Sequence, residues 1–190
     1  MKNNQNTTGY EETPLDPHQQ IVPASDNPIR TFDVLFIDLL KDIYWAEKSL
    51  LKVLLKMANN ASSSALRSCL IDHHHVTQIQ INRIEKMFDV LNKPYDSKKC
   101  DAMEGLIKEG DKMLMETEWG PIRDACIIAS SQKIEHYEMA AYGTLLAFAQ
   151  TLGENDIVKW LQQTLAEEKE SDKLLSDIAF SCVNNKANQL

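Results

Sequence analysis

The sequence predicts an all-α protein, organised as a four-helix bundle with an extra short connecting helix between the second and third long helices. Four long segments place apolar residues at three- and four-residue steps, which is the spacing of an amphipathic helix. Each of these segments also carries acidic residues or a histidine near its midpoint, within the apolar stripe. Nowhere in the 190 residues does the alternating pattern of a strand compete with this interpretation.

The composition limits the classes of function. Lys and Arg number 20 against 28 Asp and Glu, a net charge of −8 without a basic cluster, so we expect no nucleic-acid binding. Lys2 is the only lysine or arginine before Arg30, which argues against an arm that protects DNA. The first ten residues lack a signal-peptide core, and no apolar run reaches the ~18 residues that span a bilayer. We therefore predict a cytoplasmic protein without membrane contact, whose four widely spaced cysteines are free thiols.

The predicted domain limits follow from polarity and proline content. Residues 1–29 are polar, contain four prolines and show no apolar periodicity, so we predict a disordered N-terminal arm. Residues 30–182 form the predicted helical bundle domain, and residues 183–190 are predicted to be a C-terminal tail.

The first two long helices are expected over residues 31–59 and 64–91, with serines before the second helix to cap it. Glu47 interrupts the apolar stripe of the first helix, and His73 interrupts that of the second. His73 begins a run of three histidines. Because consecutive residues of a helix point in different directions, this run can supply one or two inward side chains.

The remaining helices follow a loop that contains Pro94. A short helix that crosses one end of the bundle is expected over residues 101–116, where two glycines lower its intrinsic stability. The third long helix is expected from Gly120-Pro121 to Leu152-Gly153, with Gly153 as the glycine that caps its C-terminal end. The fourth is expected from Asn155 or Asp156 to about Cys182. Each carries a pair of inward acids at helical spacing, namely Glu135 with Glu138 and Glu168 with Asp172.

The polar midpoints predict a metal site. Antiparallel helices of about 25 residues, or roughly 38 Å, bring their midpoints to one level. Buried acids are costly unless they are paired or bind a metal, and carboxylates with an imidazole suit iron or manganese. The candidate metal ligands are Glu47, His73, Glu135, Glu138, Glu168 and Asp172. The alternative is a hydrated polar layer, or acids that reach outward to solvent, without metal.

The same segments resemble the YciE/YciF family, a ferritin-like group of bacterial proteins associated with stress responses. The resemblance covers roughly residues 31–180. The matching segments are Leu35–Tyr44 with Ala46-Glu47, Ala102–Ile107, Arg123-Asp124-Ala125 through Glu135-His136-Tyr137-Glu138 to Leu145, and Leu165–Lys169 with Asp172–Leu175.

The resemblance implies a ferritin-like bundle, a homodimer and a dinuclear metal centre. Two iron ions would be expected, or one, with manganese as the other metal. The ligands would come from Glu47, Glu135, Glu138 and Glu168, with Asp172 bound to the metal or beside it.

The second helix departs from the family pattern, which usually has several glutamates around a histidine. His73 holds the position of that histidine, but His75 and Val76 stand where glutamates are expected. The loss of a bridging carboxylate would leave one metal, a weaker pair, or a site in which His75 or Asp72 replaces the missing ligand.

Two functions are therefore expected. The first is a di-metal carboxylate protein of the stress response that oxidises iron or reacts with oxygen or peroxide. Tyr142, Tyr44 or Trp45 could supply an electron to such a site, although each also fits a structural role. The alternative is a non-enzymatic stress or structural protein whose polar layer is degenerate or metal-free. Metal content distinguishes the two.

Overall fold

The structure is a computed structural model that describes residues 28–189. That part of the chain contains six α-helices and no strand. Their bounds are α1 Phe32–Asn60, α2 Ser64–Val90, α3 Asp101–Glu116, α4 Pro121–Leu152, α5 Asn155–Ile178 and α6 Asn184–Ala187, with a π-helical turn Ala179–Val183 before the last. The prediction of an all-α bundle with an extra helix between the second and third long helices is confirmed.

The four long helices form two hairpins, α1–α2 and α4–α5, that pack against each other. Helix α1 contacts α2 and α4, and α5 contacts the same two helices, so α1 and α5 are diagonally opposite. Gly153 ends α4 in the left-handed conformation with a φ of 78°, and its N–H donates to the carbonyl of Gln150. The prediction of a glycine cap at this turn is confirmed.

Helix α3 differs from our expectation that it would cross one end of the bundle. It lies along the flank formed by α4 and α1. Gly110 is at the closest approach, where an added Cβ would lie 3.3 Å from Met57 Cε and 3.5 Å from Ser130 Cβ. The glycine that weakens an isolated helix therefore lets this one pack closely against the bundle.

The C-terminal end also differs from the prediction. The sequence predicts that the fourth long helix, which is α5, ends near Cys182, but the helical path passes through the π-helical turn and continues to Ala187. Val183 is buried, and both this turn and α6 contact α4, which explains why these residues do not fray. The predicted arm over residues 1–29 lies outside the described residues except for its last two. In the described range, no helix is long and apolar enough to cross a membrane.

The turn between α1 and α2 is held by a carboxylate of the other hairpin. Asp124 on α4 is 2% exposed and accepts hydrogen bonds from the backbone N–H of Ser62 (2.7 Å), the Ser62 hydroxyl (2.6 Å) and the N–H of Ser63 (2.9 Å). Ser63 Oγ in turn accepts from the N–H of Leu66 at 3.4 Å, which confirms that a serine caps α2.

We expect the Asp124→Ala variant to lose roughly 2–4 kcal/mol of unfolding free energy, because two half-buried backbone N–H groups and a hydroxyl lose a charged acceptor. Urea unfolding measures this loss. The matched control is Asp177→Ala, which removes an exposed carboxylate that pairs with Lys173 and should cost no more than about 0.5 kcal/mol. Equal effects of the two changes would contradict the proposed role of Asp124.

Candidate metal centre

Five of the predicted site residues meet in the middle of the bundle. Four long helices contribute them, and each residue is between 0% and 6% exposed: Glu47 from α1, His73 from α2, Glu135 and Glu138 from α4, and Glu168 from α5. We call these five residues the central cluster. One ligand atom from each of its members other than Glu47 lies within 4.8 Å of the others.

Apolar neighbours on each helix force the cluster inward. On α1, Ile43 and Leu50 lie one turn on either side of Glu47 and are no more than 1% exposed. On α2, Leu70 precedes His73 and is similarly buried. A helix cannot turn one of these residues to solvent without exposing its apolar neighbours, which would cost about 1.5–3 kcal/mol for each large side chain. The alternative in which the acids reach solvent is therefore excluded for the central cluster.

His73 lies between the carboxylates of two helices. Its Nδ1 is 3.1 Å from Glu135 Oε1 on α4, and its Nε2 is 3.6 Å from Glu168 Oε2 on α5. The imidazole therefore connects the two sides of the hairpin α4–α5 at the level of the cluster.

Two side chains orient carboxylates of the cluster by hydrogen bonds. The Tyr142 hydroxyl donates to Glu47 Oε1, and the Gln80 amide donates to Glu168 Oε1. In both glutamates the second oxygen, Oε2, is left free within the cluster. Tyr142 and Gln80 thus fix the orientation of two potential ligands while leaving one oxygen of each available.

Seven buried atoms of the cluster that could bind a metal make no hydrogen bond of good geometry among the described residues, although Glu135 Oε1 lies 3.1 Å from His73 Nδ1. They are Glu47 Oε2, His73 Nε2, both oxygens of Glu135, both oxygens of Glu138 and Glu168 Oε2. Unsatisfied buried polar atoms cost about 1–3 kcal/mol each, so such a concentration requires a physical explanation. A cation or ordered water can satisfy them.

The donor set fits a divalent cation. Ligand atoms at ~2.1 Å from one ion lie at most about 4.2 Å apart, which is close to the 4.8 Å limit of the four-residue group. Carboxylates with one imidazole and no thiolate favour iron or manganese. The residues present therefore fit the metals that the sequence predicted.

Four residues of the cluster have raised pKa values. Burial raises the pKa of Glu47 and of Glu138 well above its usual value, with neighbouring carboxylates adding to the effect. Burial also raises the pKa of Glu135 to about 7, although His73 opposes the rise. Burial alone would lower the pKa of His73, but the carboxylates of Glu135 and Glu168 raise it well above its usual value. A metal ion at this cluster would therefore compete with protons for the same atoms.

Asp172 is not brought into the central cluster. It is half-buried, accepts a hydrogen bond from Gln132 Nε2 at 3.1 Å, and lies 3.5 Å from His136 Nε2. Asp72 and His75 are exposed, so neither fills the place of the missing glutamate on α2. At 100° per residue, positions one or two residues from His73 point away from the bundle axis.

The three aromatic residues that could supply an electron also differ in whether they contact the central cluster. Tyr142 contacts the cluster through Glu47, whereas the Tyr44 hydroxyl donates to Glu85 at 2.8 Å. Trp45 lines a surface groove together with residues of α3. Sequence reasoning assigned no role to Gln80, although its position seven residues after His73 placed it on the same helix face.

The fold and the buried cluster define a helical-bundle protein with an internal carboxylate–histidine centre. The chain belongs to the family described as "Domain of unknown function (DUF892)", whose pattern matches residues 31–188. It is 42% identical over 160 residues to Protein YciF of Escherichia coli (strain K12), covering 84% of this chain and 96% of that protein. The resemblance to the YciE/YciF family is confirmed.

Solved structures agree with this assignment. The crystal structure of the E. coli stress protein YciF matches with a TM-score of 0.79 at 42% identity, covering 83% of this chain and all of that one. YcfI from Rhodopseudomonas palustris, described as a candidate structural protein, matches with a TM-score of 0.78 at 39% identity over 80% and 97% of the two chains. A Xanthomonas campestris protein shares only the fold, with a TM-score of 0.68 at 19% identity over 84% and 98%.

Proposed function

We propose that this chain is an iron-binding carboxylate protein of the bacterial stress response, with the central cluster as its metal centre. The observation that carries the proposal is the set of seven buried atoms without a hydrogen bond of good geometry within that cluster. Five ionisable side chains are buried between the apolar faces of four helices, and their burial costs free energy of folding. A bound cation would offset that cost. The stress protein YciF of E. coli, 42% identical to this chain, supports the biological setting.

The ligands divide into a compact group and one additional carboxylate. His73, Glu135, Glu138 and Glu168 form the group that would hold one ion. Glu47 adds an oxygen for a second ion, which we expect to bind more weakly because α2 supplies no carboxylate to bridge the pair. Manganese fits the same ligands.

When bound, iron would supply redox chemistry toward a small oxidant such as oxygen or peroxide. The chain's own residues prepare the ligands for it. Gln80 and Tyr142 each hold one oxygen of a glutamate and so limit carboxylate rotation. The buried position excludes bulk water. Iron oxidation in a cytoplasmic homodimer is the form of this function that we propose.

The test is iron content after anaerobic addition of Fe(II) and removal of the excess. We expect up to two irons per wild-type chain and none in the Glu135→Ala variant, whose far-ultraviolet circular dichroism should remain helical. The matched control is Asp172→Ala, which removes a carboxylate outside the cluster and should leave the iron content unchanged. Full iron content in Glu135→Ala would contradict the choice of ligands.

The second candidate is a non-enzymatic structural role with a metal-free polar layer. The description of YcfI and the absence of an inward carboxylate on α2 favour it. It predicts that purified protein binds no metal at neutral pH and that Fe(II) leaves its thermal stability unchanged. The metal-centre proposal predicts a higher melting temperature with Fe(II), because ligands that bind the folded state stabilise it.

A further inference from the structure

A cleft on the outer surface between α2 and α5 reaches the central cluster. It has a volume of about 190 Å³, enough for about six water molecules at their liquid volume. Helix α2 forms one wall and α5 the other. The lining includes Asp72, His73 and Val76 of α2 and Glu167, Glu170 and Ser171 of α5.

His73 is the point at which the cleft meets the cluster. It is 6% exposed, it lines the cleft, and its Nε2 has no hydrogen-bond partner among the described residues. The grooves beside Tyr137, Trp45 and His136 contain no cluster residue in their linings. An ion that enters the α2–α5 cleft therefore reaches the His73 side chain, whose Nε2 lies buried beyond the cleft surface.

The mouth of the cleft is acidic. Asp72 and Glu170 are exposed, and neither forms an ion pair within the part of the chain that the structure describes. Glu167 is different, because Arg83 binds both of its carboxylate oxygens at 2.5 and 2.7 Å. None of the lining residues is a lysine or an arginine. The free charge at the mouth is therefore negative and comes from one acid on each helix.

We propose that divalent cations reach the metal centre through this cleft, attracted by Asp72 and Glu170 and received by His73. This inference rests on the proposed function and adds the route by which that site is loaded. Acidic residues at a narrow opening focus the electric field and raise the local concentration of cations. The volume admits an ion that keeps much of its water, and the Ser171 hydroxyl offers an oxygen on the way. Asp72 and Glu170 act here by attraction and are not ligands of the bound ion.

The experiment measures the rate of Co²⁺ uptake by metal-free protein in a stopped-flow spectrometer, using the visible absorption of the bound ion. We expect the double variant Asp72→Asn/Glu170→Gln to bind the same final amount of Co²⁺ about fivefold more slowly at low salt. The difference should vanish near 1 M salt, where the screening length falls to ~3 Å. The control Glu116→Gln/Glu118→Gln removes the same charge from the exposed region before α4 and should load at the wild-type rate.

A second variant tests the path by blocking it. Val76→Trp places a large side chain in the wall of the cleft and should slow uptake at every salt concentration, with circular dichroism confirming the fold. Unchanged uptake rates in both cleft variants, with the wild-type final amount of Co²⁺, would overturn the route and leave the metal centre in place. No Co²⁺ binding by the wild-type protein would overturn the metal centre and the route together.

Discussion

Replacement of Glu138 by glutamine is expected to stabilise the metal-free protein at pH 8 while removing its tight metal binding. Both oxygens of Glu138 are buried and unpartnered, and its pKa is raised well above the usual value by burial and by Glu47 and other carboxylates nearby. In the unfolded chain at pH 8, Glu138 is an exposed carboxylate. Folding must therefore either protonate this carboxylate or bury it in its charged form, and both cost free energy. Glutamine has the same shape without that cost. We expect a gain of roughly 2–4 kcal/mol, or about 5–15 °C in melting temperature.

The measurement is thermal unfolding after chelation, repeated with added metal. At pH 8 without metal the variant should melt above the wild type, and with Fe(II) or Mn²⁺ the order should reverse. Near pH 4 the gain should disappear, because both states of wild-type Glu138 are then largely protonated. The exposed Glu118 gives the matched control Glu118→Gln, which should change neither value. A lower melting temperature for the metal-free variant at pH 8 would contradict the interpretation of Glu138 as a metal ligand under repulsion.

The metal-free wild-type protein is expected to lose stability as the pH rises from about 4.5 to 8. The pKa of Glu135 rises from 4.5 to about 7 on folding, so the folded state holds more protons than the unfolded state between these values. Stability is then highest below the lower value and falls as the pH passes through the upper one. Glu47, Glu138 and His73, whose pKa values are also raised, act in the same direction. Glu135 alone accounts for roughly 3 kcal/mol.

Two other acids have the opposite effect on the change of stability with pH. Glu104 and Glu167 have lowered pKa values, because lysines bind Glu104 and Arg83 offsets the burial of Glu167. They favour folding above pH 4.5 and lose that contribution only in more acidic solution. Chelated protein should therefore show a falling melting temperature from pH 5 to pH 8, and saturating metal should flatten or reverse the trend, because metal replaces the protons. A melting temperature that rises across this range without metal would exclude the buried acids as its cause.

Most of the central cluster could be predicted from the sequence, because the spacing of apolar residues along a helix shows which face of the helix is buried. Glu47, His73 and Glu168 each interrupt an apolar stripe at three- or four-residue spacing, and a stripe of that kind must face the core. Because each of these residues lies near the midpoint of its helix, antiparallel packing brings them to similar levels along the bundle axis. The fold followed from the same pattern, since four amphipathic helices bury their apolar faces only against one another.

Asp172 shows the limit of that reasoning. A four-residue step rotates a helix position by 400°, so Asp172 lies 40° beyond Glu168, at the margin of a stripe that spans 100° or more. Sequence spacing does not show whether a residue lies at the centre of the stripe or at its margin. Asp172 lies at the margin, where its carboxylate contacts Gln132 and His136 of α4. The contact of Asp124 with the turn before α2 was equally inaccessible, because it joins residues 62 positions apart.

The position of Asp124 has a consequence for how the centre assembles. Its carboxylate attaches the start of α4 to the turn that begins α2, a contact made without any ligand of the central cluster. The contact therefore fixes the relative position of the two hairpins along the bundle axis. A shift of one hairpin by one helical turn, about 5.4 Å, would break the contact. Glu135 and Glu138 lie three to four turns further along α4 and inherit that alignment. The proposed ligands are therefore aligned by a contact that involves no ion, and we expect this alignment not to depend on a metal as a template.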